Sequence, residues 1–185
     1  YLSTYRKYAP ANWEGQVLKE EWNEQIMRQI KFNNNYTLEN IQSSFLEQAV
    51  FSSMIVEHKS KVIWELLSDW SKLNQLVPEV VKRTEVSGKR QNAKWTIYLK
   101  NGSTVKEKMT SVSNNRRSMS YTMTDTRMPL KDYWATIQVL PIDESKSKVI
   151  FATEFKVEET NRANLVDTFK QFQDAYLDHI DEVLE

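Results

Sequence analysis

The alternation of hydrophobic and polar positions predicts one strand, two short helices, six further strands and one long C-terminal helix, in that order. The first strand lies at residues 50–56 and the two helices lie between Ser60 and Pro78. Alternating segments then predict strands at residues 80–86, 95–99, 104–112, 118–124, 133–140 and 149–157. Asn101-Gly102 is a strong hairpin signal. We therefore expect an α+β fold in which a curved, seven-stranded antiparallel sheet wraps around the final helix.

The final helix is predicted from about residue 161 to residue 184, because apolar residues recur there at intervals of three and four. This stripe consists of Leu165, Phe169, Phe172, Tyr176, Ile180 and Val183. A long helix with one apolar stripe needs a partner surface, and the inner face of the sheet can supply it.

Residues 1–46 do not share the strand pattern and are predicted to form a helical extension, leaving residues 47–185 as the main domain. A first helix is predicted within residues 13–32, with a stripe of apolar residues spaced by four. A shorter helix would contain Leu38, Ile41 and Phe45. The extension either packs on the main domain or acts as a lid or partner-binding arm. The stripe of the first helix consists of Leu18, Trp22, Ile26 and Ile30.

Composition removes several classes of function. The chain has no cysteine, which excludes disulfides and thiolate metal sites. Its 25 basic and 25 acidic residues leave no net charge, so a nucleic-acid partner is not expected. No apolar run is long enough for a transmembrane segment, so we expect a soluble protein. The chain begins at Tyr1, which is consistent with removal of an upstream segment.

A family resemblance rests on Val62-Ile63-Trp64-Glu65-Leu66-Leu67-Ser68-Asp69-Trp70, on Gly102 with Val105-Lys106-Glu107, and on residues 128–141 and 151–155. These segments resemble the START-like, helix-grip (SRPBCC) superfamily, and within it the polyketide cyclase/dehydrase-like branch. The resemblance covers about residues 48–184 and implies a hollow between sheet and helix. The superfamily holds lipid carriers, hormone receptors, aromatase/cyclases, quinone-binding proteins and a co-chaperone domain, so fold alone does not choose a function.

Strand alternation predicts which side chains face the helix, because successive residues point to opposite faces. The inward set is aromatic and Met-rich with few polar groups, as in ligand pockets. It either lines a cavity or fills a core. The opposite face is mostly polar, including Lys106, Ser118, Ser120 and Thr122, which predicts a half-solvated sheet. The predicted ligand-binding residues are Trp95, Ile97, Glu107, Met109, Met119, Tyr121, Met123, Tyr133, Phe151, Thr153, Phe155, Phe169, Phe172 and Tyr176.

Glu107 is the inward carboxylate in the middle of a strand. In a dry environment its pKa would rise, and it would serve as an acid or a hydrogen-bond donor. It would alternatively lie at an open rim, or pair with a tyrosine, Arg117 or Arg127. In the related cyclases a polar pocket residue orients the substrate, so Glu107, with Tyr121 or Tyr133, is the candidate catalytic set.

The loop that contains Arg127, Met128, Pro129 and Leu130 should lie at the same sheet end as Asn101-Gly102, where this fold has its cavity mouth. An exposed apolar tip there is typical of a gate, or of a peripheral contact with a membrane or partner. Packing onto the N-terminal helices is the alternative. His58 and His179 have no partners at metal-ligand spacing, so no metal and no cofactor are expected.

Three functions are compatible with these patterns. The first is binding or carriage of a hydrophobic or amphipathic small molecule, such as a lipid, isoprenoid, quinone or polyketide-like compound. The second is a cyclase or dehydratase that uses Glu107 and a tyrosine. The third is a protein-interaction module with a filled core.

Overall fold

A computed structural model describes residues 45–185 of the chain. Strand β1 is Phe45–Val56, and it is followed by α1 (Ser60–Leu67), a 3₁₀ turn (Trp70–Lys72) and α2 (Leu73–Leu76). The remaining strands are β2 (Val81–Ser87), β3 (Lys94–Leu99), β4 (Thr104–Ser113), β5 (Ser118–Asp125), β6 (Leu130–Pro141) and β7 (Ser147–Glu158). A 3₁₀ turn at Arg90–Asn92 connects β2 to β3, and α3 (Glu159–Leu184) ends the chain. The predicted order of elements from β1 onward is confirmed.

The seven strands form one antiparallel sheet in the order β1-β7-β6-β5-β4-β3-β2. Helix α3 packs on one face of it, where Gln173 Nε2 donates to the Val50 carbonyl and to Thr153 Oγ1, each over 3.2 Å. Ser52 Oγ donates to Asp174 Oδ1 over 2.8 Å on the same face. The α+β helix-grip architecture is therefore confirmed.

The short helices after β1 are positioned by a side-chain cap. Asp69 Oδ1 accepts a hydrogen bond from the Ser71 backbone N–H over 3.1 Å, which satisfies one of the free donors at the start of the 3₁₀ turn. This turn holds Trp70 in the core, where it is 6% exposed. A local capping interaction thus places an aromatic ring against the inner face of the sheet.

The start of β1 differs from the prediction. Phe45 and Leu46 are strand residues, paired with Glu158 and Val157 of β7, although Phe45 was expected in a helix and both in the extension. A continuous ladder of backbone pairs along β7 outweighs the local helical spacing of Phe45. The predicted helix within residues 13–32, and Leu38 and Ile41 of the second predicted helix, lie outside the described residues.

The outer face of the sheet, meaning the face turned away from α3, also differs from the prediction. It is solvated along β4, where Lys106 and Lys108 are exposed as expected. Across β5, β6 and β7 it is buried: Ser118, Ser120 and Thr136 are covered. The description of a half-solvated sheet therefore holds for only part of this face.

Candidate functional site

The space between the sheet and α3 contains the predicted inward residues. Twelve of the fourteen predicted ligand-binding residues are buried, and Met123 and Phe172 are partly buried against the same core. The placement of these side chains on the inner face follows from the two-residue period of the strands. Burial of this kind is shared by a lined cavity and a filled core.

Aromatic rings form a continuous series of contacts across this space. The Trp70 ring stacks on the Trp95 ring with centroids 4.2 Å apart, and Tyr121 meets Trp70 edge-on at 4.8 Å. Tyr133 contacts Phe169 of α3 at 5.3 Å. The distances of 4.8 Å and 5.3 Å are within the range of favourable ring pairs, and the stacked pair is slightly closer. The series connects the 3₁₀ turn to the C-terminal helix through the middle of the sheet.

A second aromatic group lies farther along α3. Tyr176 meets Phe151 of β7 edge-on with centroids 5.2 Å apart, and Phe172 lies 6.4 Å from Phe151. Phe155 contacts Phe169 at 4.9 Å and thereby joins β7 to the first group. The helix therefore supplies one wall of the site and the sheet supplies the others.

Glu107 lies in the middle of this apolar region. Its side chain is 4% exposed, and Trp95 Nε1 donates a hydrogen bond to its Oε2 over 2.6 Å. Glu107 is buried and so is not at an open rim, and its hydrogen-bond partner among the described residues is this indole rather than a tyrosine, Arg117 or Arg127. The carboxyl group is held by an indole instead.

Burial raises the pKa of Glu107 to about 8, and the hydrogen bond from Trp95 opposes this rise only in part. The carboxyl group is therefore mainly protonated at neutral pH. Burial also raises the pKa values of Tyr121 and Tyr133 well above the usual value, with further contributions from Glu107. At pH 7 the two tyrosines are uncharged and Glu107 is mainly so, and all three can donate hydrogen bonds.

Several buried side-chain atoms have no hydrogen-bond partner among residues 45–185, and two of them are on buried residues of the inner core. These two are Oε1 of Gln173, whose side chain is fully buried, and Nε1 of Trp70. An unsatisfied buried group costs free energy that a ligand or an ordered water can recover. The inner core therefore offers a ligand one free acceptor, Gln173 Oε1, and one free donor, Trp70 Nε1, in addition to the polar groups of Glu107 and the tyrosines.

Sequence reasoning missed Trp70 and Gln173 as site residues. Gln173 lies four residues after Phe169, on the inner face of α3, and Trp70 ends the quoted Ser68-Asp69-Trp70 motif. A polar residue within an apolar helical stripe was the available signal for Gln173. For Trp70 the signal was an aromatic residue directly after a capping aspartate.

The loop of Arg127 to Leu130 follows β5 at the same sheet end as the Asn101-Gly102 hairpin, because Lys106 pairs with Asp125. It is less exposed than predicted. Arg127 and Pro129 are exposed, whereas Met128 and Leu130 are partly buried against the core. Leu130 is the first residue of β6 and pairs with Val157, which turns it inward. The expected exposed apolar tip is therefore reduced to Pro129.

The described part of the chain shows no group of three His, Asp or Glu side chains arranged to hold a metal ion. His58 Nε2 lies 3.8 Å from Asp181 Oδ1, and the other histidine, His179, contacts the Ala175 carbonyl with Nδ1 over 2.8 Å. Within residues 45–185 no helix is both long and apolar enough to cross a bilayer.

Comparison with known proteins extends this description. The model of the family described as polyketide cyclase/dehydrase and lipid transport matches residues 49–185. No curated protein sequence matches the chain.

Many solved structures share the fold, and three of them illustrate the similarity. XoxI from Bacillus cereus has a TM-score of 0.66 at 17% identity, covering 74% of this chain and 94% of its own. The Zhui aromatase/cyclase from a Streptomyces species has a TM-score of 0.67 at 13% identity, covering 75% and 94%. Norcoclaurine synthase from Thalictrum flavum, in complex with dopamine and hydroxybenzaldehyde, has a TM-score of 0.64 at 20% identity, covering 80% and 92%. At these identities the similarity concerns the fold.

Proposed function

Because the chain belongs to the polyketide cyclase/dehydrase and lipid transport family, we propose that it binds a hydrophobic or amphipathic small molecule between its sheet and α3. The observation that carries the proposal is the buried, hydrogen-bonded carboxyl group of Glu107 within aromatic walls. A core that served packing alone would gain more from an apolar residue at this position, since burying a carboxyl group costs free energy.

The apolar part of the ligand would lie against the aromatic and methionine side chains that line the inner face. Transfer of apolar surface from water contributes roughly 25 cal/mol per Å². The polar end of the ligand would meet Glu107, Tyr121 or Tyr133. Because the pKa of Glu107 is raised to about 8, it would donate a hydrogen bond to a ligand carbonyl or hydroxyl oxygen at neutral pH. Lipids, isoprenoids, quinones and polyketide-like compounds combine these two features.

Entry of the ligand would take place at the sheet end that carries the Arg127–Leu130 loop. Met128 and Leu130 pack against the core there, so their displacement would open a path to the inner face. Arg127 and Pro129 are exposed at the same end and would meet a membrane surface during transfer. A peripheral membrane contact is thus part of the proposal, and a spanning segment is not.

A second candidate function is a cyclase or dehydratase, favoured by the raised pKa of Glu107 beside two tyrosines. A carboxylic acid that remains protonated near neutral pH can transfer its proton to a departing hydroxyl group, which leaves as water. The resulting carboxylate would then take a proton from the carbon next to the one that lost the hydroxyl. Tyr121 or Tyr133 would supply the second positioned group.

Glu107→Gln distinguishes the two candidates because glutamine has the shape and the hydrogen-bonding groups of a protonated glutamate. A binding site should retain affinity for a quinone or fatty acid within about fivefold at pH 7. An enzyme should lose turnover of a poly-keto substrate by at least about a hundredfold. Lys108→Gln, on the exposed face of the same strand, is the matched control.

Native mass spectrometry with a panel of an isoprenoid quinone, a long-chain fatty acid and an aromatic polyketide tests binding directly. Stoichiometric complexes of the unmodified protein that weaken in Tyr133→Leu are the expected result. Absence of complexes across the panel, with the protein folded, would contradict the proposal and favour the protein-interaction module with a filled core.

A further inference from the structure

The outer face of the sheet carries a second apolar surface that is separate from the ligand-binding core. Phe51 of β1 and Ile150 and Ala152 of β7 are 7%, 1% and 9% exposed, and none of them belongs to the contiguous core cluster. In the sheet register Phe51 pairs with Ala152, and Ala152 pairs with Thr136 of β6. We call Phe51, Ile150, Ala152, Thr136 and Ser120 the outer patch.

The helices of residues 45–185 do not account for this burial. Helix α3 bonds to Thr153 and Ser52, which point to the inner face, and Ile63 and Leu66 of α1 belong to the inner core cluster. In a strand, neighbouring residues point to opposite faces, so Ala152 and Thr153 cannot share a cover. The outer patch is therefore shielded from water by something other than the described helices.

The outer patch is also suited to a dry contact. Ser120 and Thr136 bond to one another across β5 and β6 over 3.0 Å, which leaves their hydroxyl groups paired without water. On the same face Trp134 of β6 has its Nε1 buried without a partner among the described residues. Buried polar atoms and an aromatic ring on a sheet face indicate that solvent is excluded there.

From these observations we infer that the outer patch is the docking surface for this chain's own residues 1–44, through the stripe of Leu18, Trp22, Ile26 and Ile30. The segment joins the sheet at Phe45, the first residue of edge strand β1, six positions from Phe51. A helix over residues 13–32 would be about 30 Å long. A twelve-residue strand such as β1 or β7 spans about 40 Å, so the sheet offers enough length for it.

The composition of the stripe matches the outer patch. Trp22 and three aliphatic residues spaced by four form one face of a helix, and Glu20, Glu24 and Arg28 form the opposite face. Such a helix would bury its apolar face on Phe51 and Ile150 and leave its charges in water. It would thereby occupy the face that the helices of the main domain leave uncovered. This inference does not depend on the proposed ligand.

The absence of cysteine from the chain permits a test in the whole 185-residue chain. Ala152→Cys places one thiol in the outer patch, and Ala135→Cys places one on the inner face, where Ala135 is fully buried. Ile26→Asp is added to each to disrupt the stripe, and Arg28→Asp introduces the same side chain on the polar face. The labelling rate of each thiol by a maleimide is then measured.

We expect Ile26→Asp to raise the labelling rate of Ala152→Cys at least about tenfold, because one apolar anchor is lost. Arg28→Asp should change this rate less than about twofold, and Ala135→Cys should remain protected in both backgrounds. An unchanged rate in Ile26→Asp would overturn the inference. Protection that disappears on dilution of the otherwise unsubstituted chain would also overturn it, because a second copy would then be the occupant.

If both thiols become reactive, Ile26→Asp has unfolded the domain. Crosslinking in variants without that substitution then tests whether the stripe lies on the outer patch. Ala152→Cys is combined with Trp22→Cys or Ile26→Cys, or with Glu24→Cys or Arg28→Cys as controls, and treated with a short bifunctional maleimide. Intramolecular crosslinks from the stripe positions in preference to the polar positions are expected. Equal crosslinking from both faces, or none from either, would overturn the inference.

Discussion

Trp95 and Glu107 lie directly opposite one another on β3 and β4, and the indole N–H of Trp95 donates to Glu107 Oε2 over 2.6 Å. The hairpin at Asn101-Gly102 sets this register, so a local turn determines which group meets the buried carboxyl. The hydrogen bond thus links one of the aromatic side chains of the inner face to a carboxyl group that is mainly protonated at neutral pH. Most of the expected behaviour of the site follows from it.

The stability of the protein should decrease as the pH rises, because of Glu107. Its pKa is about 8 in the folded protein, against a usual value of 4.5. Below pH 4.5 Glu107 is protonated in both the folded and the unfolded state, so it causes no change of the unfolding free energy with pH there. Between pH 4.5 and 8 the unfolded chain releases the proton first, so the free energy of unfolding falls, by at most about 1.4 kcal/mol per pH unit. Urea unfolding at pH 5, 7 and 9 measures this fall.

Glu107→Gln should remove this component, so the difference in unfolding free energy between variant and parent should grow with pH. Glu144→Gln, at an exposed position, serves as the control and should leave the pH profile parallel to that of the parent. A parallel profile for Glu107→Gln as well would mean that Glu107 is already ionised in the fold.

Trp95→Phe should destabilise the protein by about 1–3 kcal/mol, because Oε2 of Glu107 loses its donor while it remains buried. It should also shift the midpoint of the Glu107 pH effect upward, since the Trp95 hydrogen bond lowers that pKa. The measurement is the pH dependence of the unfolding free energy for Trp95→Phe against the double variant with Glu107→Gln. Additive effects of the two substitutions at all pH values would show that the residues are not coupled.

The stacked Trp70 and Trp95 rings should give a near-ultraviolet circular dichroism signal that ligands perturb. Their centroids are 4.2 Å apart with 15° between the planes. Trp70→Leu should abolish this signal and cost about 2–4 kcal/mol of stability. Trp134→Phe, on the outer face, is the control and should retain the signal. Retention of the signal in Trp70→Leu would exclude stacking as its source.

Two glycines in the hairpins give a matched pair of stability predictions. A Cβ atom at Gly88 would lie 2.5 Å from the Asn92 carbonyl oxygen, whereas one at Gly102 would meet nothing within 4 Å. Both residues have positive φ angles, so alanine is strained at each by about 1–2 kcal/mol. Thermal unfolding should therefore show a larger loss for Gly88→Ala than for Gly102→Ala. Equal losses would mean that backbone strain alone determines the cost.

The inner face could be predicted from sequence because its side chains follow a strict two-residue period. Trp95, Ile97 and Glu107 were expected to point inward, and all three are buried. The apolar stripe of α3 identified Phe169 and Tyr176 for the same reason, with a helical period. A pattern that repeats over a long segment still identifies the buried face when one or two residues deviate from it.

The outer patch and the ends of elements could not be predicted in the same way. Ile150-Phe151-Ala152 is apolar at three successive positions, which indicates burial on both faces, but the serines of β5 masked this signal. Phe45 fits a helical spacing, yet strand pairing with β7 decides its conformation. Met128 and Leu130 turn inward because β6 begins at Leu130, and tertiary contacts determine that position.

The most direct test of the central claim is native mass spectrometry of the purified full chain, followed by organic extraction and identification of any released compound. We expect a stoichiometric complex with an apolar compound, either co-purified or added from the lipid, quinone and polyketide panel. We also expect the complex to weaken above pH 8, where Glu107 ionises and can no longer donate a hydrogen bond. A folded protein that remains free of every compound at pH 6 and at pH 9 would contradict the account.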